Sequence, residues 1–207
     1  MPTLLLALFP AARAAAQAPG ANLQLVPKIG AYLPANDLGE VAGALGDIRA
    51  EMEASLALGL ALELDLPTSP VNLRANFDYA TASEVSPEGI TSDVAPDATL
   101  LALTGDLVFR PLPRIIVVQP YLLGGAGVKV YQFDTDDLVD DGFAEAFDDD
   151  RTDFALHAGI GVDVGLGPLA LLAEVSDYIS WFELQEGEDS EMQNDFFAMV
   201  GFRVGLF

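Results

Sequence analysis

The clearest signal in the chain is an alternation of apolar and polar residues with a period of two. From Ser55 to Asp65 the sequence SLALGLALELD places Leu56, Leu58, Leu60, Leu62 and Leu64 on one face and Ser55, Ala57, Gly59, Ala61, Glu63 and Asp65 on the other. On a helix those leucines would point all round the cylinder, whereas on a strand they form one face. Val71, Leu73, Ala75, Phe77 and Tyr79 repeat the pattern against Asn72, Arg74, Asn76 and Asp78, and the link containing Pro67 and Pro70 reads as a hairpin turn. The same test predicts eight strands, at 22–33, 55–65, 71–82, 98–109, 115–131, 153–165, 168–179 and 195–207.

The connections between these strands alternate in length. Those at 34–54, 83–97, 132–152 and 180–194 are long, while the three between them are short turns carrying Pro67 and Pro70, Pro111 and Pro113, and Gly165 and Gly167. Short turns at one end and long loops at the other are what a barrel inserted from one side of a membrane needs. The expected fold is therefore all-β, an eight-stranded antiparallel up-and-down transmembrane β-barrel. A soluble lipocalin-type barrel alternates equally well, but it keeps apolar residues inside and charges outside. Here the charged face also carries Ala57, Gly59, Ala61, Gly159 and Gly161, the small residues a crowded, narrow interior requires.

Charge sharpens this picture. The chain has Asp+Glu 32 against Lys+Arg 9, a formal net charge of -23, yet 51% of its residues are hydrophobic and its mean hydropathy is +0.34. A disordered acidic tail would be poor in apolar residues, and a nucleic-acid binder would carry a basic face. With no Cys and one His, a disulfide framework, thiolate chemistry and a typical zinc site are excluded. The long connections hold 5, 4, 9 and 5 acids in chain order, 23 of the 32. Of the remainder only Asp177 interrupts an apolar face.

The first residues read as a secretory signal, with an apolar stretch from Leu4 to Phe9 followed by small residues. Cleavage is expected after Ala16, which gives a signal peptide at 1–16 and a barrel domain at 17–207. No Lys or Arg precedes the apolar run, a departure from the usual signal.

Four stretches carry a resemblance to a known family: QPYLLGGAGVKVYQF (Gln119 to Phe133), FALHAGIGVDVGLGPLALLAEVSDY (Phe154 to Tyr178), PKIGAYLP (Pro27 to Pro34) and a strand ending on Phe207. Together they resemble the small eight-stranded outer-membrane β-barrels of two-membrane bacteria, a group that includes the membrane domain of outer membrane protein A and the outer membrane protein X type. The resemblance implies a bacterial outer-membrane location and insertion by the barrel-assembly machinery; the partners expected are outer-membrane lipid and lipopolysaccharide and no nucleic acid, and the chain is expected to be a monomer. The last strand departs from the family pattern. Stepping back by twos from Phe207 gives Gly205, Arg203 and Gly201, while the apolar face is Phe196, Ala198, Val200, Phe202, Val204 and Leu206.

Three groups of residues could carry chemistry. The inward face is expected to hold Lys28, Arg74, Lys129 and Arg203 with Glu63, Asp65, Asp78, Asp106, Asp163 and Glu174, either as a satisfied polar plug or as a narrow ion path. Arg203, on the closing strand, should face Glu63 or Glu174. The second group is His157, Ser176 and Glu174. A turn centred on Leu166 and Gly167 would set Ser176 across from His157, the residue types of an activated serine in a lipid-modifying hydrolase. The third is the run from Asp134 to Arg151, where Asp134, Asp136, Asp137, Asp140 and Asp141 offer the oxygen ligands that Ca²⁺ or Mg²⁺ prefers. The expectation from sequence is a non-enzymatic outer-membrane protein acting in envelope structure or surface interaction through acidic loops, with a narrow channel as the main alternative.

Overall fold

The structure, a computed structural model, describes residues 21–35, 39–43, 46–66, 69–87, 97–113, 117–134, 151–166, 169–182 and 191–206. It contains ten strands: β1 (Asn22–Pro34), β2 (Gly39–Gly43), β3 (Gly46–Met52), β4 (Ser55–Asp65), β5 (Val71–Pro87), β6 (Asp97–Phe109), β7 (Val118–Asp134), β8 (Arg151–Leu166), β9 (Leu169–Phe182) and β10 (Glu191–Gly205). Eight of them, β1 and β4 to β10, close into one antiparallel ring. Closure falls on β1, which pairs with β4 from Asn22↔Asp65 to Tyr32↔Ser55 and with β10 from Gln24↔Gly205 to Pro34↔Asp195. In the second of these seams the ladder skips Val26 and Pro27, because the proline ring has no N–H to give.

The face assignment follows from burial. Along β4 the leucines at 56, 58, 60 and 62 are exposed while Ala57, Ala61, Glu63 and Asp65 are buried. The same inversion runs round the ring: Ile29, Phe77, Leu107, Leu122, Ile160, Leu171 and Val200 lie outside, and the buried set includes Lys28, Arg74, Asp78, Asp106, Lys129, Asp163 and Glu174. A barrel of the lipocalin type is thereby ruled out, since it would expose the charges and bury the leucines. Phe196, Phe202 and Leu206 are exposed and Arg203 is half-buried, so the apolar face of the last strand is the even-numbered one.

The interior is narrow enough that two glycines are steric requirements. A Cβ at Gly161 would run into the ring of Tyr121, its cross-strand neighbour. One at Gly59 would meet Asp78 and lie 2.7 Å from Cε of Lys28. Absent side chains at these points make room for the large polar groups that fill the centre.

The strands differ from the sequence expectation mainly at the long-connection end. β5, β7 and β9 run on to Pro87, Asp134 and Phe182, β10 begins at Glu191, and β7 starts at Val118 rather than at 115. The first long connection holds a hairpin, β2–β3, whose second strand joins the extension of β5 through Ala50↔Pro87 and Met52↔Val85. Hydrophobic alternation marks where strands meet lipid, but backbone pairing continues beyond that level, where neither face has to be apolar.

Candidate functional site

The inward side chains form a connected stack of ion pairs. At the short-turn end Arg203 Nη2 lies 3.1 Å from Asp163 Oδ2, and Nη1 lies 3.6 Å from Glu63 Oε1. Arg110 joins the same two acids, donating from Nε to Asp163 at 3.0 Å and from Nη1 to Glu63 at 2.6 Å. Arg74 donates from Nη2 to Glu63 Oε2 at 2.8 Å and from Nη1 to Glu174 Oε2 at 2.5 Å, so one guanidinium bridges carboxylates from β4 and β9. Tyr121 lies beneath both guanidiniums, with its centroid 5.3 Å from Arg74 Cζ and 5.2 Å from Arg110 Cζ, and its hydroxyl donates to Glu174 at 2.7 Å. Arginine suits this region because its planar fork satisfies two acids at once and stacks on a ring.

Lys28 carries the stack towards the middle of the barrel. Its Nζ donates to Glu174 Oε1 at 3.0 Å and to Asn76 Oδ1 at 3.0 Å, and it lies 3.1 Å from Asp78 Oδ1. Tyr178 closes over this group, donating to Asp78 at 2.5 Å and accepting from Asn76 at 3.0 Å. Its ring stacks on His157 at 4.1 Å with an interplanar angle of 4°. Towards the long-connection end a smaller cluster stands apart from these groups. Lys129 is paired with Asp195, which also accepts from Tyr32 at 2.5 Å and Tyr131 at 2.8 Å.

Eight of the ten expected inward residues are thus in ion pairs, Lys28, Glu63, Arg74, Asp78, Lys129, Asp163, Glu174 and Arg203, and Asp106 is hydrogen-bonded to His157. Asp65 is buried beside them. Of the two acids expected to face Arg203, Glu63 does so and Glu174 does not: Arg203 sits at the turn end, where Glu63 and Asp163 are within reach, and Glu174 lies deeper against Arg74 and Lys28. Arg110, Asp195 and the tyrosines at 32, 121, 131 and 178 belong to the network but do not stand out in the sequence. Arg110 and Asp195 both continue the inward parity of their strands, as does each tyrosine.

The serine arrangement is also corrected. β8 and β9 meet through Leu166↔Leu169, so Tyr178 lies opposite His157 and Ser176 lies opposite Gly159. His157 uses Nδ1 on Asp106 Oδ1 at 3.0 Å, with Thr104 Oγ1 at 3.3 Å. Because a carboxylate only accepts, this partner assigns the ring proton to Nδ1. Glu174 is held by Lys28, Arg74 and Tyr121, and so does not orient the imidazole. Of the candidate divalent site, Asp136, Asp137, Asp140 and Asp141 lie outside the described residues, as does the side chain of Asp134, and so does the expected signal peptide at 1–16. Among the described residues no three His, Asp or Glu side chains are grouped to hold a metal ion.

A closed antiparallel ring with a lipid-compatible exterior and its charges paired within is an integral membrane β-barrel of the kind found in bacterial outer membranes. Residues 1–203 match the family described as outer membrane protein beta-barrel domain, and the chain belongs to that family. Its fold is similar to that of Neisserial surface protein A, at 12% identity and TM-score 0.54 over 89% of this chain and 98% of the other. It is likewise similar to the outer membrane protein OprG from Pseudomonas aeruginosa, at 17% identity and TM-score 0.56 over 88% of this chain and 95% of the other. No curated protein matches the chain. The protein is accordingly an outer-membrane β-barrel of the small barrel family.

Proposed function

We propose that the protein is a non-enzymatic, closed barrel whose role is to hold acidic segments at the cell surface, in envelope structure or surface interaction. The observation that carries this reading is that paired charges fill the lumen at both levels, Arg203 with Asp163 in the larger network near the short turns and Lys129 with Asp195 in the smaller cluster towards the long connections. Ion pairs that satisfy one another in a low-dielectric interior make a lumen costly to open, which favours a scaffold over a passive pore. The 23 acids in the four long connections then become the part that meets other molecules. Nine of them lie between Gln132 and Thr152, where Ca²⁺ or Mg²⁺ would bridge them to anionic lipopolysaccharide. A monomer fits because ring closure leaves no unpaired edge in the barrel wall. The separation of Ser176 from His157 supports the non-enzymatic part of the reading.

Two assays on the refolded, heat-modifiable barrel test it. In planar bilayers the wild type should give no steady single-channel conductance, and with a phospholipid ester as substrate it should release no fatty acid above background. Steady conductance would move the channel reading to first place. Ester cleavage that disappears in Ser176→Ala would establish a hydrolase instead.

A further inference from the structure

Asp177 is the one acidic or basic side chain on the outward faces of the barrel strands between their ends, among the residues whose side chains are described. It sits on β9 between Val175 and Ile179, with Ala158 and Phe196 as its cross-strand neighbours. The outward Trp181 lies four residues further along the strand. With a strand rise of ~3.3 Å and a tilt of ~40°, the carboxyl is about 10 Å below that aromatic level. It is therefore within the apolar band, where an ionisable group is costly unless a specific partner meets it. The backbone of Asp195 offers it one hydrogen bond, while Oδ1, which neighbouring protein atoms cover, has no partner.

A second, independent feature leads away from this carboxyl. Outward positions Ala158, Gly124, Ala126, Gly105 and Ala75 are joined by cross-strand pairs or single two-residue steps, running from β8 to β5. Unlike the inward glycines, Gly105 has nothing within 4 Å of the place a Cβ would occupy, and Gly124 has only a carbonyl oxygen at 3.9 Å. Packing inside the barrel does not demand glycine at either place. Exposed Leu107, Leu122, Ile160 and Val175 stand along one side of this path. The path descends: Asp177 lies eight residues from the short-turn end of β9, and Gly105 lies four from that end of β6. Four strand spacings of ~4.8 Å make it about 19 Å long, comparable with the ~15 Å hydrocarbon depth of one leaflet.

We propose that this trough is a binding site for a lipid of the outer leaflet that carries hydrogen-bond donors, an amide N–H or a hydroxyl, where its head joins its chains. The donors meet the Asp177 carboxyl, and one acyl chain lies in the trough over Ala158, Gly124 and Gly105. An ammonium headgroup fits less well, because it would sit above the aromatic level. A lipid with ester links only at the same depth has no donor to offer.

Native mass spectrometry of the folded barrel in detergent provides the test, with sphingomyelin and phosphatidylcholine as probes. They share a headgroup, and only the first has the junction amide and hydroxyl. Wild type should retain sphingomyelin about tenfold better, the size of one charge-assisted hydrogen bond. Asp177→Leu should remove that preference, and Gly105→Leu with Gly124→Leu should weaken retention of both lipids by filling the trough. Retention of the heat-modifiable gel shift identifies variants that still fold, and Asp177→Asn serves as a polar control should the leucine variant not fold. Equal retention of the two lipids by wild type, or an undiminished preference in folded Asp177→Leu, would overturn the proposal. So would a dimer of wild type that dissociates in Asp177→Leu, which would assign the face to a second copy of the chain.

Discussion

The two ends of the lumen solve one problem differently. Near the short turns, Glu63 is shared by Arg74, Arg110 and Arg203, and Glu174 by Arg74 and Lys28, so each acid keeps a cation if one is lost. Near the long connections, Asp195 has Lys129 as its single cation partner among the described residues, and two tyrosine hydroxyls take the place of further charges. Redundancy at one end and a lone pair at the other should make the smaller cluster the more fragile. The cost of a deletion depends on what is left unpaired rather than on how many bonds are removed.

This difference sets an order of effects for urea unfolding of the refolded barrel. Lys129→Met is expected to be the most damaging, since it leaves Asp195 buried with no cation; the loss should reach ~3 to 5 kcal/mol. Adding Asp195→Asn should recover much of that. Arg74→Met breaks contacts to two acids, but Lys28 and Arg110 remain on them, so about 2 to 3 kcal/mol is expected. Arg203→Ala should cost only about 1 kcal/mol, because both of its acids keep Arg110. Ser176→Ala should stay within ~0.5 kcal/mol. A larger loss for Arg203→Ala than for Lys129→Met would reverse the comparison and place the critical charge at the closing strand.

Much of the barrel is legible in the sequence because lipid imposes a strict rule on every second residue. Leu56 to Leu64 and Val71 to Tyr79 can be read directly, and their partners on the other face follow by parity. The hairpin at Gly39–Met52 is hard to read, since its strands are short and, although Ile48, Ala50 and Met52 alternate with Asp47, Arg49 and Glu51, the five residues of GEVAG carry no comparable run. Arg110 is hidden because Pro111 and Pro113 mark a turn, although the residue still points inward as Asp106 and Val108 do. The tyrosines are hidden for another reason. Their rings count as apolar in an alternation test, while their hydroxyls serve the charged network. Centring the turn on Leu166 and Gly167 pairs His157 with Ser176, whereas the turn lies between Leu166 and Leu169. One residue at the turn moves every partner by two, enough to exchange Ser176 for Tyr178.

The loops add a prediction of a different kind. Nine acids between Gln132 and Thr152, offset by Arg151, should repel one another strongly. Millimolar Ca²⁺ or Mg²⁺ is expected to slow proteolysis of that segment severalfold, as followed by fragment mapping. Equal cleavage with and without the ions would remove the divalent reading.

All of these expectations rest on which face of each strand meets lipid, and two adjacent residues on β4 report on it directly. Leu60 is 46% exposed and Ala61 is 1% exposed. A tryptophan placed at Leu60 in the barrel reconstituted into vesicles should be strongly quenched by lipids brominated along their acyl chains, and hardly at all by aqueous iodide. That result would put the leucine face against the acyl chains and the charge network inside. Quenching by iodide without quenching by brominated lipid would contradict the account, because it would put the leucine face of β4 in water.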